Sequence, residues 1–514
     1  MRTLISLLLI CTALLTAAPT RKPKLVVNLA VDQFRYDYLT RFGQEYKAGL
    51  RRLWEQGAVF TNAHYEHFPT VTAVGHSTML SGATPSVSGI VGNEWYDRKT
   101  KKQVSSVSDD GTKLLGAAGR GSSPTKLLVS TLGDELKMAN PKAKVIGISS
   151  KDRSAILPVG RMADGAYWFD TGTGNFVSST YYFPALPAWA EKFNASRVAD
   201  QWAGKKWVSP NAKPGDKPFA ELGKAGDKAY YNTLDRTPYH NDLLVLFAQA
   251  AIEGEGLGQD EITDVLAISF SANDRIGHSV GPDSEQVHDV SLQTDRSIGE
   301  LFAYLDRKIG ADEWIVMMTA DHGVAPLPEV MQQRKMPGGR ITEGAVLGAI
   351  DSALSAKYGE AKWVIGRSGP APYLDYEVID GKKLSHEEVE NVAAAAVRAI
   401  PHIYRVYTRT QLRMGSVLDD FVDKRVRAGY HSERGSDLFV VSEPYYLFEA
   451  SGTSHGTPYN YDSHVPVIFL GAPFKAGKYH SKIAVNDVAP TLATLLEVET
   501  PSGAAGRVLS EILQ

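Results

Sequence analysis

The chain has almost no cysteine. Its 514 residues include one, Cys11, which lies in an apolar stretch with a basic start and a small-residue exit at Ala17 and Ala18, a pattern typical of a secretory signal peptide. We therefore predict a signal peptide over residues 1–18 and a periplasmic or secreted protein. The mature chain then holds no thiol, which excludes disulfides, thiolate zinc sites and nucleophiles that are, or derive from, cysteine.

The sequence also lacks a basic cluster and a second long apolar run. Lys and Arg number 55 against 58 Asp and Glu, which gives a formal net charge of −3. We therefore expect neither nucleic acid nor membrane partners. Residues 19–514 are long enough to bury a large core, and we predict one catalytic domain over this range. The sequence leaves the oligomeric state open, with a monomer favoured.

Short apolar runs rich in β-branched residues recur along the chain. They have the length of buried parallel strands, and the segments between them are long enough for helical crossovers. The runs cover residues 25–31, 145–149, 265–270, 315–320 and 467–470. This pattern predicts an α/β fold with a doubly wound, mostly parallel sheet between layers of helices.

Two stretches depart from this pattern, and we interpret both as cap insertions over the strand ends. Residues 167–235 are dense in aromatic side chains, and residues 330–445 contain alanine-rich helical segments. Aromatic side chains of this kind are typical of a cap packed on the body, and the alternative is a platform for a sugar or a base.

Polar side chains follow four of the predicted strands within a few residues. In a doubly wound sheet, ligands bind at the carboxyl ends of the strands. The side chains that point to one such site are Asp32, Lys151, Asp274 and Asp321.

Three histidines join the three aspartates as candidate metal ligands. Asp274 and His278 are four residues apart, which places both on one face of a helix. Asp321 and His322 precede a glycine whose free backbone lets adjacent side chains converge, although the pair alone is also typical of a hydrogen-bonded turn. A lone loop histidine such as His455 is more often solvated. The whole set provides enough nitrogen and oxygen ligands for two Zn²⁺ ions, and ligand type leaves Mn²⁺, Co²⁺ and iron open.

Thr72 begins a segment with helical apolar spacing that ends at Leu80. Its hydroxyl either caps the helix or acts as a nucleophile on phosphorus, with free amides at the helix start holding the phosphate. His76, one turn later, is interpreted as structural, because metal coordination activates a hydroxyl without a general base.

Several segments of the chain resemble the alkaline phosphatase superfamily, and the likeness is strongest to its exported threonine-nucleophile branch, the PafA-like bacterial alkaline phosphatases. The segments include VDQFRYDYL, ATPSVSGIVGN, SKDRSAILPVG, TADHG and SHGTPYNYDSHVP. The resemblance implies attack by Thr72 and a covalent phosphothreonine intermediate. It also implies one zinc ion on Asp274, His278 and His455, and a second on Asp32, Asp321, His322 and Thr72.

Asn93, Lys151 and Arg153 are the candidate substrate-binding residues. A phosphate monoester dianion needs more positive charge and more donors than a diester does. In the family that this chain resembles, the lysine and the arginine contact the phosphoryl group and the lysine replaces a third metal, so we expect no Mg²⁺ site. If Lys151 and Arg153 did not follow a predicted buried strand, we would interpret them as a charge cluster in a solvated loop.

The sequence therefore predicts an alkaline phosphatase that releases inorganic phosphate from small phosphate monoesters. Three alternatives are a nucleotide pyrophosphatase or phosphodiesterase, a cofactor-independent phosphoglycerate mutase, and a non-catalytic zinc- or phosphate-binding protein. The mutase normally uses serine and acts in the cytosol, unlike a chain with a signal peptide.

Overall fold

The computed structural model describes residues 22–514, so the predicted signal peptide lies outside the described residues. A mixed sheet of eleven strands forms the centre of the protein. In chain order the strands are β1 (Leu25–Val31), β2 (Ala58–Phe60), β3 (Ser108–Leu115), β4 (Arg120–Ser122), β5 (Val145–Ser149), β6 (Gly165–Asp170), β7 (Asn175–Ser179), β8 (Asp264–Phe270), β9 (Trp314–Thr319), β10 (Val467–Leu470) and β11 (Gly477–Tyr479).

The strands lie in the order β11-β2-β10-β9-β1-β8-β5-β6-β7-β3-β4. Five neighbours, β9, β1, β8, β5 and β6, are parallel, and antiparallel strands extend the sheet on both sides. The principal helices are α1 (Gly49–Gln56), α2 (Thr72–Ser81), α3 (Leu132–Ala139), α4 (Asp152–Ile156), α5 (Tyr239–Glu255), α6 (Ala272–Val280), α7 (Glu285–Lys308), α8 (Glu343–Tyr358), α9 (His386–Arg398), α10 (Phe421–Gly429) and α11 (Val488–Leu496). The predicted α/β class is confirmed.

The parallel strands position the candidate site. Strands β9, β1, β8 and β5 are adjacent, and their carboxyl ends therefore form one edge of the sheet. The four polar residues that follow these strands in the sequence lie along this edge. Strand β1 is completely buried along its whole length, so the site rests on a rigid, close-packed base.

The prediction of a parallel strand over residues 467–470 is wrong, because β10 runs antiparallel to β9. The segment before β10 explains the direction. Gly323 and Val324, just past the carboxyl end of β9, donate backbone hydrogen bonds to the carbonyls of Asp462 and Tyr461. The chain therefore enters β10 from the edge where β9 ends and must run back along it.

The prediction that residues 167–235 form a cap instead of sheet is also wrong at its start. Most of β6 and all of β7 lie in this range, and β6 pairs with β5 as a parallel strand. Its aromatic side chains belong to the main core: Phe176 stacks on Phe247 of α5 with ring centroids 3.7 Å apart, and Trp207 is buried. Aromatic density here marks the body of the protein, because rings fill the space between the sheet edge and α5.

Residues 330–445 form a second unit with its own buried cluster, which includes Val346, Trp363 and Val389. Helices α8 and α9 pack together, and α9 packs on an antiparallel pair of strands, Ile403–Thr408 and Leu438–Ser442. The unit contacts the body beside Asn93, because Ser368 Oγ donates to the carbonyl of Glu94 at 2.8 Å. In residues 22–514, the structure contains no helix that combines the length and the apolar character of a membrane span.

Candidate active site

Three buried aspartates converge at the carboxyl ends of β1, β8 and β9. Asp32 directly follows β1, Asp321 lies two residues beyond β9, and Asp274 is in the first turn of α6. Each side chain is at most 4% exposed. Three carboxylates so close together in a buried place require cations for compensation.

Two groups of three ligand atoms form at this point, with all atoms of a group within 4.8 Å of one another. The first joins Asp32, Asp321 and His322, and the second joins Asp274, His322 and His455. The rings of His322 and His455 are stacked with centroids 3.4 Å apart, so the two groups are contiguous. The structure thus brings together residues from four distant parts of the chain.

His278 joins the second group through Asp274. Its Nε2 lies 3.1 Å from Asp274 Oδ1, and His455 Nε2 lies 3.8 Å from the same oxygen. The helix predicted from the four-residue spacing is confirmed, because both residues lie on α6. We call Asp32, Asp321 and His322 the strand-end group, and Asp274, His278 and His455 the helix–loop group.

The three histidines share one orientation. Nδ1 of His278 contacts the carbonyl of Thr453 at 2.8 Å, Nδ1 of His322 that of Gly323 at 2.9 Å, and Nδ1 of His455 that of Thr70 at 2.9 Å. A carbonyl only accepts, so each Nδ1 carries a proton, and in the neutral form of each ring the lone pair lies on Nε2. This is the tautomer that a metal-binding imidazole needs.

Charges in the site follow from burial and proximity. Burial, with the charges of Asp274 and Asp321, raises the pKa of Asp32 well above its ordinary value. Burial alone would also raise the pKa of Asp274, but the charges of Lys151 and His278 hold it well below that value. Burial lowers the pKa values of His322 and His455. Burial would also lower the pKa of His278, but the charge of Asp274 raises it. The neutral imidazoles of His322 and His455 and the excess of carboxylates favour divalent cations.

Two carboxylate oxygens without hydrogen-bond partners also favour divalent cations at this site. Asp32 Oδ1 and Asp321 Oδ2 are buried and lack a hydrogen-bond partner. Buried carboxylate oxygens without donors are rare in folded proteins. Together with the Nε2 atoms of the three imidazoles, they form a donor set of the nitrogen and oxygen type that zinc prefers.

Thr72 is the first residue of α2 and does not cap it. The N-cap residue is Val71, whereas Thr72 Oγ1 lies 3.4 Å from His322 Nε2. Gly75 permits this position, because a Cβ there would meet the Asp321 carbonyl oxygen at 2.1 Å. The helix start therefore lies directly on the strand-end group, with the Thr72 hydroxyl at the edge of the group.

His76 is fully engaged within the fold. Its Nδ1 contacts the Thr72 carbonyl at 2.9 Å and its Nε2 contacts Ser269 Oγ at 2.9 Å. The same Nδ1 lies 3.3 Å from Asp321 Oδ2. These contacts join α2 to the ends of β8 and β9.

Lys151 enters the centre of the site. Its Nζ lies 2.5 Å from Asp32 Oδ2 and 2.6 Å from Asp274 Oδ2, so it links the two groups. The guanidinium of Arg153 is partly exposed, and its Nε is buried without a partner. The structure thus places two cationic side chains, one central and one peripheral, at the end of β5.

Asn93 contacts the start of α2. Its Oδ1 accepts from the backbone N–H of Ala73 at 2.8 Å, which fixes the amide orientation because an N–H can only donate. The NH₂ end remains for another acceptor. The expectation of free amides at the helix start is wrong for Ala73, whose N–H is already used by Asn93.

Residues 26–464 match the family described as type I phosphodiesterase / nucleotide pyrophosphatase. The chain belongs to this family.

Similarity to curated relatives extends over nearly the whole chain. It is 34% identical to alkaline phosphatase PafA of Elizabethkingia meningoseptica, over 96% of this chain and 95% of that protein. It is also 34% identical to alkaline phosphatase PhoV of Synechococcus elongatus, over 96% and 93% respectively. The crystal structure of wild-type PafA matches with a TM-score of 0.89 at 32% identity, covering 96% of this chain and 99% of that one. The protein is therefore an enzyme of the alkaline phosphatase superfamily.

Gly323 has a different role from the one that the sequence predicts. Gly323 was expected to free the backbone after Asp321 and His322, but it serves close packing. A Cβ on Gly323 would meet the carbonyl oxygen of Tyr461 at 2.2 Å. The constraint comes from a loop about 140 residues away in sequence, so local sequence does not reveal it.

Gln33 was missed from sequence. It is buried next to Asp32, and its side-chain amide donates to Asp274 Oδ1 at 2.8 Å. The feature of the sequence that could have indicated Gln33 is its position directly after Asp32, at the end of a predicted strand. Its target is 241 residues away, and only the parallel pairing of β1 with β8 brings the two together.

Proposed function

We propose that this enzyme is a zinc-dependent alkaline phosphatase that hydrolyses small phosphate monoesters and releases inorganic phosphate. The observation that carries the proposal is the Lys151 ammonium in the buried centre of the site. With Arg153 and the NH₂ group of Asn93, it supplies the charge and donors that a monoester dianion requires more than a diester monoanion does. The similarity to PafA and PhoV, both named alkaline phosphatases, supports the same activity.

A solved variant of PafA adds support for these residues. That variant carries substitutions at one threonine, one asparagine, one lysine and one arginine. The spacing of its threonine and asparagine, and that of its lysine and arginine, equals the spacing of Thr72 and Asn93 and of Lys151 and Arg153 here. We therefore assign catalysis to Thr72 and phosphate binding to the other three.

In the proposed reaction the Thr72 oxygen attacks phosphorus and the bond from phosphorus to the leaving oxygen breaks. Thr72 loses its proton to solvent, and the departing alkoxide gains one and leaves as the alcohol. Water then attacks the phosphothreonine. This step breaks the bond between Thr72 Oγ1 and phosphorus, restores the hydroxyl and releases inorganic phosphate.

The metal assignment follows the two groups. Asp32, Asp321, His322 and Thr72 would hold one zinc ion, and Asp274, His278 and His455 the other. Two such ions, when bound, lower the pKa of a hydroxyl and stabilise charge on the attacking and leaving oxygens. Lys151 provides the positive charge of a third metal, and we propose no Mg²⁺ site.

The proposal includes export and organisation. Residues 1–18 act as a cleaved signal peptide for the periplasm or the medium, residues 19–514 form one catalytic domain, and residues 330–445 cover the site as a cap. The enzyme acts as a monomer without nucleic acid or membrane partners. Mass spectrometry of the exported protein tests the cleavage site, and light scattering tests the monomer.

The first experiment compares the release of p-nitrophenol from its phosphate monoester and from the bis-ester at alkaline pH, with chelator and with zinc restored. We expect a zinc-restored preference for the monoester. Preference for the bis-ester would instead assign the enzyme to the phosphodiesterase activity for which its family is described. Zinc binding without turnover would leave only a binding protein.

The nucleophile has its own test. Thr72→Ala should lower monoester turnover by a factor on the order of a thousand or more, because the covalent intermediate cannot form, whereas Thr72→Ser should retain turnover. Transfer of ³²P from substrate to the protein, quenched in acid, should occur with the wild type and be lost in Thr72→Ala. Unchanged hydrolysis by Thr72→Ala would refute the assignment.

A further inference from the structure

Gln33, like Lys151, makes hydrogen bonds to both candidate groups. Its backbone N–H donates to Asp321 Oδ1 at 3.1 Å, and its side-chain Nε2 donates to Asp274 Oδ1 at 2.8 Å. Asp321 belongs to the strand-end group and Asp274 to the helix–loop group. One residue thus contacts a carboxylate of each candidate ion site, next to Asp32.

The backbone of Gln33 is held in an unfavourable conformation. Its φ is 64°, and the Phe34 N–H donates to the Val31 carbonyl at 3.2 Å to close a turn after β1. Glycine or asparagine normally occupies such a turn position. A long side chain kept in a left-handed conformation at a site points to a role for that side chain.

The residues around Gln33 leave space for its side-chain amide. A Cβ on Gly277 of α6 would lie 1.9 Å from Gln33 Oε1, and the next two nearest atoms also belong to Gln33. Since the amide is only 2% exposed and Asp274 Oδ1 can only accept, its orientation is determined. Lys151 holds the other oxygen of Asp274, so both oxygens of this carboxylate have a fixed donor.

We propose that Gln33 is a positioning residue that sets Asp274 relative to Asp321 and thereby maintains the affinity of the helix–loop group for its ion. The inference rests on the proposed two-ion site. Donors that orient a ligating carboxylate are worth about ten- to a hundredfold in metal affinity. Gln33 acts through Asp274 and Asp321, to which it is hydrogen-bonded.

Zinc binding to purified variants, at free zinc concentrations set by a chelator buffer, tests the proposal. Gln33→Gly keeps the backbone N–H and suits the turn, so the bond to Asp321 stays and the bond to Asp274 is lost. We expect one of the two zinc affinities to fall about tenfold or more and the other to stay within about threefold. The weakened ion should be the one that His455→Ala also loosens.

Gly277→Ala provides a second variant and, together with Gln33→Gly, a double-mutant cycle. Alone, it should displace the amide and weaken the same ion. Combined with Gln33→Gly it should add nothing, because the clashing atoms are gone. Asn194→Ala, which removes an amide from hydrogen bonds to Phe176 at the far side of the sheet, is the control and should leave both zinc affinities unchanged.

Three outcomes separate the possibilities. A wild type that does not bind two zinc ions contradicts the proposed function itself. A wild type with two ions whose affinities are unchanged in Gln33→Gly, or are lowered equally, overturns only the role of Gln33. Additive effects of Gln33→Gly and Gly277→Ala would also overturn it, since two separate defects would then be acting.

Discussion

The two candidate ion groups are built in different ways. The strand-end group takes its three ligands from residues that follow β1 and β9, and its side chains are fully buried. The helix–loop group takes Asp274 and His278 from a helix and His455 from a loop near the C-terminus, and His278 is 37% exposed. The sheet therefore fixes the relative positions of the ligands in the strand-end group. In the helix–loop group, these positions depend on the contacts that hold the loop.

Contacts at the loop show what holds it. The Thr453 N–H donates to the His278 carbonyl at 2.9 Å, and Thr453 Oγ1 donates to the Ala325 carbonyl at 2.6 Å. Gly452 has a φ of 65°, and a Cβ there would meet the His278 carbonyl at 2.2 Å. Since these contacts attach the loop to α6 and to the segment after β9, changes near it should affect one ion and spare the other.

The largest effect should come from the strand-end group. His322→Ala should lower monoester turnover by about a thousandfold, because it removes a ligand beside Thr72 and metal charge stabilisation is worth several kcal/mol. Zinc titration should show one weakened ion. If both ions weaken equally, His322 serves both groups, as its place between them would allow, and the division into separate groups is wrong.

Lys151, which links the two groups, and Arg153 should control the preference for monoesters over diesters. Replacing Lys151 and Arg153 together with glutamine should lower monoester turnover by about a hundredfold, since buried donors to developing charge have effects of this size. Bis-ester turnover should fall much less, because a diester carries one negative charge fewer. The exposed pair Lys142 and Arg120, changed in the same way, is the control. Equal losses on both substrates would contradict the assignment.

The helix–loop group should give a smaller loss. His455→Ala should loosen one zinc ion and lower turnover roughly tenfold at saturating zinc, because excess metal partly refills the weakened group. Metal analysis after dialysis should find one ion per chain. Two tightly held ions in this variant would show that His455 is not a ligand.

The smallest effect on activity concerns Asp462, in the short helix Asn460–Ser463 that follows the loop. Burial raises the pKa of Asp462 to about 7, above that of an unfolded chain. Its contribution to stability is therefore full below about pH 4 and is lost as pH rises through 7. Asp462→Asn should flatten this part of the pH dependence of unfolding and change activity at pH 8 by less than about twofold.

Urea unfolding at pH 5 and at pH 7.5, both with saturating zinc, measures the difference between wild type and Asp462→Asn. The wild type should lose more stability than the variant between the two pH values. Parallel losses would show that Asp462 stays ionised in the folded protein, and the segment after the loop would then be no more sensitive to pH than the strand ends.

Local patterns were sufficient for much of the strand-end group. An aspartate directly after a buried apolar run, and an Asp-His pair after another, predicted Asp32, Asp321 and His322 at one edge. The spacing of Asp274 and His278 likewise predicted a shared helix face. These features depend on strand length and helix periodicity, which nearby residues set. The reversal of β10 and the place of β6 in the sheet were not predicted, since strand pairing depends on contacts between distant segments.

From sequence alone, the α/β class, the superfamily resemblance and the candidate ligands of this enzyme were already apparent, because residue type and periodicity are local properties. Folding in three dimensions established the shared tautomer of the histidines, which requires the carbonyls of Thr70 and Thr453, and the bond from Gln33 to Asp274. Close packing sets these hydrogen bonds, and their partners lie up to 385 residues apart, beyond the reach of any local pattern.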